Sequence, residues 1–267
     1  MEIKQSDLNN LRLAVLIDAD NVPRNCIKGI MEEIAIYGTP TIKRIYGDWT
    51  SPNISGWKTS LLENAITPIQ QYGYTTGKNS TDSAMIIDAM DILYMEKTDG
   101  FVIVSSDSDF TRLAIRLREA GQRVIGIGER KTPNPFIVAC DKFIYIEVIR
   151  DHAGCREESK DADSVIVVEK KAKAEKKTEK TEKSSGVPDS TIRLIADSIA
   201  DIADDDGYAY LGELGNLLLK KAPDFDPRNF GFTKLTPLIK SLNRFELDVR
   251  LTSDVNIKHI YVRDKQA

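Results

Sequence analysis

Two acidic runs follow two apolar segments of the chain, and their spacing suits metal-assisted chemistry. Leu11–Ile17 leads into an Asp-Ala-Asp run that starts at Asp18, and Phe101–Val104 leads into a Ser-Ser-Asp-Ser-Asp run that contains Asp107 and Asp109. In a parallel α/β sheet, ligands bind beyond the carboxyl ends of the strands, so both runs are expected to meet there. Carboxylates 4 Å apart repel by about 4 kcal/mol per pair at an effective dielectric near 20. We therefore expect a divalent cation, Mg²⁺ or Mn²⁺, among them and chemistry on phosphodiesters.

Asp82 and Asn21 complete the predicted catalytic set. Asp82 begins a predicted helix whose first turn can point into the cleft beyond the strands. Asn21 follows the first strand, where its amide satisfies turn backbone, holds the Asp18 carboxylate or contacts a phosphate. The predicted metal ligands are the carboxylates of Asp18, Asp82, Asp107 and Asp109.

Structural explanations remain open for these residues, and two further acids rank lower. Asp109 can cap a helix that begins at Phe110, and Asp82 can be a favourable first-turn charge. Asp20 ranks lower because neighbouring side chains diverge in an extended chain. Asp88 ranks lower because it lies about 120° away from Asp82 around the predicted helix.

The bulk composition is that of an ordinary globular protein. The chain has 267 residues, 41% of them hydrophobic and 29% charged, which allows one large and one small domain. The net charge of −4 excludes a whole-protein attraction to nucleic acid, so any such attraction must be local. Residues 1–10 lack the apolar core of a signal peptide, and no apolar run approaches the roughly 18 residues that span a membrane.

The cysteines and histidines indicate a reducing compartment and argue against zinc. Cys26, Cys140 and Cys155 are an odd number without a C-x-x-C spacing, so a disulfide framework is not expected. His152 and His259 have unrelated surroundings and do not suggest a zinc site. We therefore expect a cytoplasmic protein in which Cys26 and Cys140 are buried structural thiols.

Strand-like and helix-like segments alternate from residue 11 to about residue 147. The alternation predicts βαβ units, and therefore an α/β fold with a mostly parallel sheet and helices on both faces. Ser80 and Thr81 are predicted caps of the long helix, and Gly121 is the predicted stop of a later one. The predicted strands are 11–17, 41–46, 67–70, 101–104, 123–127 and 143–146, and the predicted helices are 25–37, 56–64, 82–96, 110–120 and 135–140.

The composition changes at residue 151, where a stretch rich in lysine and glutamate has almost nothing to bury. We expect 151–189 to be a charged flexible linker between an N-terminal domain, 1–150, and a C-terminal domain, 190–265. In the C-terminal domain three amphipathic helices precede two alternating strands, which is typical of a small α+β winged helix-turn-helix. The predicted helices are 190–202, 211–221 and 233–242, and the predicted strands are 245–251 and 258–262.

Three motifs of the N-terminal domain resemble those of the NYN family of PIN-like nuclease domains. They are Leu16–Asn21, Lys78–Ala84 and Val104–Phe110, in the family's order, and the likeness covers residues 11–147. The resemblance implies a PIN-like Rossmannoid fold and RNA cleavage that depends on Mg²⁺ or Mn²⁺. Ser106 stands where many relatives carry glycine, which is expected to bend the loop slightly. The family's asparagine position is occupied by Asn21, and its acidic positions by Asp18, Asp82, Asp107 and Asp109.

The C-terminal segment, about 190–264, is similar to the OST-HTH/LOTUS domain. Gly207–Gly215 and Phe230–Phe232 carry the likeness. The resemblance implies a winged-helix module that binds RNA or a protein partner, and the pairing of these two domains recurs in bacterial relatives. Its basic and aromatic side chains are candidates for phosphate contacts and base stacking, although each also fits as ordinary surface or core. They are Lys220, Lys221, Arg228, Lys234, Lys240 and Arg244, with Tyr208, Tyr210, Phe230 and Phe232.

Three more basic residues are candidate RNA contacts in the N-terminal domain. Arg130 and Lys131 follow the fifth predicted strand, so they belong to the same edge of the sheet as the acids. Lys78 approaches Asp82 along the chain, where it either offsets acidic charge or is ordinary loop solvation.

Three functions remain open on the sequence alone. We favour a metal-dependent endoribonuclease whose winged module recruits RNA and raises its effective concentration at the acidic site. The second is a non-catalytic RNA-binding or adaptor protein that keeps the fold. The third is a phosphatase of the haloacid-dehalogenase type, because Asp18 and Asp20 imitate its nucleophile pair, although no suitable lysine follows a strand.

Overall fold

The structure is a computed structural model, and it describes residues 11–51, 56–72, 80–153, 186–251 and 258–266. Most of the predicted linker, 151–189, lies outside these residues, as do Lys78 and Cys155. Cys26 and Cys140 are buried thiols, as predicted. Among the helices that the structure describes, none combines the length and apolar character that a membrane span requires.

A six-stranded parallel sheet is the centre of the N-terminal domain. Its strands are β1 Arg12–Asp18, β2 Thr39–Gly47, β3 Thr67–Gln70, β4 Gly100–Val104, β5 Arg123–Gly128 and β6 Lys142–Tyr145. Their order across the sheet is β3-β2-β1-β4-β5-β6, and every neighbouring pair is parallel. β1 and β4 are the central strands, and their near-continuous apolar sequences suit strands that are covered on both faces.

Helices cover both faces of this sheet, which confirms the predicted α/β architecture. They are α1 Ile27–Ile34, α2 Lys58–Asn64, α3 Ser80–Tyr94, α4 Thr111–Glu119, α5 Asn134–Ala139 and α6 Ile146–Ala153. Alternate residues of a strand point to opposite faces. Accordingly, Val15 and Ile17 pack with α1, α2 and α6 in one apolar cluster, while Ala14 and Leu16 pack with α3, α4 and α5 in the other.

Several element boundaries differ from the predicted ones. α3 begins at Ser80, so Ser80 and Thr81 lie in its first turn and the prediction that they cap the helix is wrong. α6 was not predicted, because its first residues continue the apolar run of β6 and were counted with that strand. Gly121 follows α4 with a left-handed φ of 81°, which confirms its predicted role as a helix stop.

The C-terminal domain is a small α+β unit with three helices and an antiparallel sheet. Its elements are α7 Asp189–Ile202, α8 Leu211–Lys221, α9 Leu235–Ser241, β7 Ala209–Tyr210, β8 Phe245–Leu251 and β9 Lys258–Asp264. β8 and β9 form the predicted hairpin, and β7 adds a third strand beside β9. That strand was not predicted because two residues are too few to show an alternating pattern.

The residue that follows α2 offers a test of backbone strain. Ala65 caps this helix with φ 49° and ψ 49°, a left-handed conformation that costs a residue with a Cβ atom more than it costs glycine. We expect Ala65→Gly to raise the free energy of unfolding by about 1 kcal/mol, measured by urea denaturation. Ala35→Gly is the matched control, because Ala35 caps α1 with an ordinary φ of −60°. This variant should instead lower the free energy of unfolding by about 0.5–1 kcal/mol. Equal losses in the two variants would contradict the strain argument.

Candidate metal centre and nucleic-acid surfaces

Three carboxylates converge beyond the carboxyl ends of β1 and β4. Asp82, Asp107 and Asp109 each offer one oxygen, and these oxygens all lie within 4.8 Å of one another. Asp82 comes from the first turn of α3, and the other two come from the loop that follows β4. The parallel sheet therefore places acids from distant parts of the sequence in one group.

The loop after β4 is shaped by Asp107 itself. Asp107 caps the 3₁₀ helix Ser108–Phe110, because its Oδ1 accepts a hydrogen bond of 2.9 Å from the Asp109 N–H. The α-helix that follows is preceded by Phe110 and has no side-chain cap. The alternative in which Asp109 caps that helix is therefore wrong. Asp107 both closes the turn and presents its carboxylate to the group.

Asp18 lies at the end of β1, where it is held in place rather than grouped with the three carboxylates. Its side chain is only 1% exposed. Its Oδ2 accepts hydrogen bonds from the Asn21 amide at 2.6 Å and from the Ser105 hydroxyl at 2.9 Å, and its Oδ1 accepts one from the Asp20 N–H at 3.1 Å. Of the roles considered for Asn21, this contact matches the one in which its amide holds the Asp18 carboxylate.

Ser105 joins the two acidic strand ends and was missed in the sequence. Its hydroxyl donates to Asp18 on β1 and accepts a 3.1 Å hydrogen bond from the Asp107 N–H after β4. It is fully buried between these strands. The signal was present, since a buried hydroxyl needs a partner and Ser105 follows β4 directly.

The neighbouring loop after β5 is drawn close to the same strand ends. The Ser106 hydroxyl accepts a 2.9 Å hydrogen bond from the Glu129 N–H. A Cβ atom on Gly128 would lie 2.6 Å from the Ser105 carbonyl oxygen and 2.7 Å from the Thr132 hydroxyl, so glycine is required for this approach. Ser106 therefore adds a contact to the loop, and Asp107 still reaches the acidic group.

Further acids surround the group at the same edge of the sheet. Partial burial and the negative charges of Asp18 and Asp48 raise the pKa of Asp20. Asp48, which follows β2, was not singled out from the sequence, although the same strand-end rule identifies it. Its Oδ1 accepts a 2.9 Å hydrogen bond from the Gln70 amide.

Asp88 lies outside the acidic group and has structural partners. Its two carboxylate oxygens accept hydrogen bonds from the Arg44 guanidinium and the Tyr46 hydroxyl. Both partners are on β2, so Asp88 attaches α3 to the sheet about one and two-thirds turns after Asp82. Burial and the Asp88 carboxylate raise the pKa of the Tyr46 hydroxyl, which keeps it a donor.

The electrostatic cost of the site falls most heavily on Asp82. Burial and the charges of Asp18, Asp107 and Asp109 raise the pKa of Asp82 to about 6. Both burial and neighbouring negative charge disfavour the ionised form of a carboxylate, and a nearby cation would favour it. The group therefore has the electrostatics of a cation site.

The donor set fits a hard divalent cation. A six-coordinate Mg²⁺ with bonds of about 2.1 Å has ligand oxygens roughly 3 to 4 Å apart. The three oxygens within 4.8 Å of one another need only a small closure to reach that spacing. Asp82, Asp107 and Asp109 would hold the ion, with Asp18 beside them as an additional charge.

Arg130 and Lys131, the basic candidates of the N-terminal domain that the structure describes, are exposed. The Arg130 guanidinium lies 5.4 Å from the ring centre of Tyr145, and the Arg130 backbone N–H donates to the Glu147 carboxylate at 3.0 Å. Lys131 pairs with Glu129 at 2.5 Å and remains 69% exposed. Both residues follow β5, at the carboxyl edge that also carries the acids.

The aromatic candidates of the C-terminal domain lie beside its sheet. The Tyr208 ring is contacted by the guanidinium groups of Arg250 and Arg263, each 4.8 Å from its centre. Tyr210 is 39% exposed and stacks on His259, with ring centres 5.2 Å apart. Phe230 and Phe232, by contrast, are partly buried against the core of the domain, as the structural alternative proposed.

The basic candidates of this domain fall into two sets. Arg228 and Arg244 are engaged by carboxylates, Arg228 by Glu33 and Asp226, and Arg244 by Asp264. The structure thus places Arg228 in a buried ion pair and not on the surface expected for a phosphate contact. Lysines on the surface are Lys220, Lys221, Lys234 and Lys240, of which Lys221 pairs with Asp201.

The fold and site define a PIN-like α/β domain followed by a small helical and antiparallel domain. The NYN domain model matches residues 12–147, and the OST-HTH/LOTUS domain model matches residues 182–256. Because the first match spans just over half of the sequence, the chain belongs to the NYN domain family. This family has the PIN-like nuclease fold, and OST-HTH/LOTUS domains bind RNA.

Other comparisons add no assigned activity. No curated protein matches the chain. A solved structure of a protein of unknown function from Vibrio parahaemolyticus is 19% identical with a TM-score of 0.44, covering 55% of this chain and 96% of its own. An uncharacterized protein from Nitrosomonas europaea is 29% identical with a TM-score of 0.27, covering 37% of this chain and 92% of its own.

The raised pKa of Asp82 predicts how stability depends on pH. The folded protein binds more protons than the unfolded chain between the ordinary carboxyl pKa of 3.8 and about 6, so ionisation of Asp82 progressively lowers stability as the pH rises through that window. We expect metal-free Asp82→Asn to be more stable than the wild type by about 1 kcal/mol at about pH 8, after allowance for solvent screening. The advantage should shrink towards about pH 4, as measured by urea denaturation in chelator.

Asp91→Asn is the control for this experiment, because Asp91 is an exposed acid on the same helix. It should leave the pH profile unchanged. If Asp82→Asn were instead the less stable protein at high pH, the repulsion described for the acidic group would be absent.

Proposed function

We propose that the protein is a metal-dependent endoribonuclease that uses Mg²⁺ or Mn²⁺, and that its C-terminal domain recruits the RNA. The convergence of Asp82, Asp107 and Asp109 supports this proposal most directly. Partial burial, together with the charges of Asp18, Asp107 and Asp109, raises the pKa of Asp82, and a bound cation would offset both effects. The family's nuclease fold is the second support.

The described residues divide the work of such a site. Asp82, Asp107 and Asp109 would hold the ion through carboxylate oxygens, and the ion would supply Lewis acidity at the phosphodiester. Asp18 contributes charge, while Asn21 and Ser105 hold its carboxylate in one orientation. Ser105 also positions the Asp107 backbone, so one hydroxyl aligns both acidic strand ends.

RNA must reach an edge that is itself negatively charged. Asp20 and Asp48 extend the acidic field on the β2 side of the centre, which disfavours phosphates there. Arg130 and Lys131 lie after β5, on the other side of β4. We therefore propose that the RNA backbone approaches over the β5 side, while the C-terminal domain supplies further phosphate contacts and base stacking on Tyr210.

Loss of one acidic ligand should separate catalysis from RNA binding. We expect Asp107→Asn to lower Mn²⁺-dependent cleavage of labelled RNA by about a hundredfold or more, because one carboxylate of the cation site is removed. RNA affinity in chelator should stay near that of the wild type. Asp91→Asn, again the matched control, should retain full activity.

The alternative function has a distinct outcome in the same assay. Equal residual cleavage by the wild type and Asp107→Asn, with RNA binding intact, would indicate an RNA-binding adaptor and would refute the nuclease proposal.

Two neighbouring lysines provide a graded test of the RNA surface. Lys220 and Lys221 both lie in the last turn of α8, but Lys221 is already paired with Asp201. We expect Lys220→Ala to weaken RNA binding. It should also reduce the slope of log affinity against log salt concentration by roughly 0.7, the value for one single-strand phosphate contact. Lys221→Ala should have the smaller effect. Fluorescence anisotropy over a salt series measures both, and a larger effect of Lys221→Ala would place RNA elsewhere.

A further inference from the structure

A buried carboxylate of the NYN domain is neutralised by an arginine of the C-terminal domain. Glu33, on α1, is only 7% exposed. The two terminal nitrogens of Arg228 donate to its two oxygens at 2.8 and 2.7 Å, in a bidentate arrangement, and the Tyr37 hydroxyl donates at 3.1 Å. Such a pair has fixed geometry, because two parallel hydrogen bonds define both distance and angle.

Arg228 is oriented for this contact by its own domain. Asp226 accepts from the Arg228 backbone N–H at 2.9 Å and from its guanidinium at 2.8 to 3.1 Å. The arginine is therefore bound by two carboxylates, one from each domain, and its side chain is 16% exposed. We call Glu33, Arg228 and Asp226 the interdomain ion triad.

A second contact places the C-terminal domain against the edge strand of the NYN sheet. The Phe143 N–H of β6 donates to the Pro223 carbonyl oxygen at 2.8 Å. Two residues on, the Tyr145 hydroxyl donates to Asp224 at 2.9 Å. β6 is the last strand of the sheet, and an uncovered edge exposes unpaired backbone groups. Residues 223–228 of the C-terminal domain thus cover this edge.

Lys142 lies between the two contacts and shows how closely the domains meet. It is 9% exposed and its ammonium lies 5.5 Å from the ring centre of Tyr37. Burial lowers the pKa of Lys142, and the carboxylates of Asp226 and Glu33 act in the opposite direction. Buried charges are tolerated where opposite charges lie nearby. The positive and negative charges at this junction offset one another in the observed arrangement of the two domains.

The covered edge lies close to the acidic centre. Tyr145 ends β6 and Asp18 ends β1, so both lie at the carboxyl edge of one parallel sheet. β6 is separated from β4 by a single strand, which puts it roughly 10 Å away at the usual strand spacing. Arg130, which contacts the Tyr145 ring, lies between the two.

We propose that the interdomain ion triad and the β6 edge contact make the C-terminal domain a fixed part of the nuclease, so that RNA held by that domain is cut at a set distance from where it is bound. The docking is independent of catalysis, whereas the set distance rests on the proposed function. A freely tethered module raises only the local concentration of RNA and predicts cuts at scattered positions. A docked module predicts one principal spacing.

Hydrogen exchange of the full-length protein tests the docking without any RNA. The Phe143 amide should be protected in the wild type, because its hydrogen is bonded to Pro223. Glu33→Gln and Arg228→Ala should each accelerate its exchange by at least about tenfold, because each leaves a buried partner unpaired. The amides of Val102 and Val262 report that each domain stays folded.

Arg12→Ala is the matched control for the exchange experiment. Arg12 makes a comparable two-oxygen contact with Asp99, but within the NYN domain alone, so its loss should leave the Phe143 amide protected. Fast exchange at Phe143 in the wild type, or no acceleration in either triad variant, would overturn the docking. Glu33→Gln keeps the C-terminal turn intact, so its result does not depend on how that turn folds.

Cleavage mapping tests the set distance. A labelled RNA of defined sequence is footprinted with Asp107→Asn to locate the bound segment, and is then cut with the wild type and Glu33→Gln in Mn²⁺. We expect one principal spacing between footprint and cut in the wild type, and a broadened set in Glu33→Gln. Scattered wild-type cuts would refute the set distance, whereas protected Phe143 without any cleavage would refute the nuclease function and leave the docking in place.

Discussion

The mutual repulsion of carboxylates at one edge of a parallel sheet is the constraint on which the site depends. Parallel β1 and β4 must end at the same edge, so their following acids cannot avoid each other. The protein limits the cost by giving Asp18 three hydrogen-bond donors and Asp107 a capping role. At Asp82, burial and the repulsion of the neighbouring carboxylates are not offset, and together they raise its pKa. A cation is the group that would relieve it.

The sequence was sufficient for those features that depend on local pattern. The order of strands and helices follows from the alternation of apolar segments, and the acids at the strand ends follow from the parallel geometry. The caps at Ser80 and Thr81 were misjudged because neighbouring residues give equally good helix starts. The end of β6 was misjudged because its apolar run continues into α6. Ser105 was missed because its role depends on two strands that are distant in sequence.

The position of the C-terminal domain against the NYN domain could not be predicted from the sequence at all. A segment of alternating lysine and glutamate predicts a flexible tether, and nothing local to it indicates docking. Arg228 was a candidate phosphate contact because it is one of the basic residues of this module, with an ordinary structural role left open. Its partner Glu33 lies 195 residues away in the chain. The pairing is therefore a property of the assembled molecule.

A buried ionic contact suits this junction better than an apolar one. Burying charges gains little net stability, since desolvation offsets most of the attraction, but an unpaired buried charge is strongly unfavourable. If the two domains shifted, Glu33 would lose Arg228 and Lys142 would lose the nearby charge of Asp226. An apolar contact would tolerate sliding, because hydrophobic burial has no preferred direction. The triad thus favours one position of the C-terminal domain relative to the NYN domain. A nuclease needs such a defined position if its binding domain is to determine where the RNA is cut.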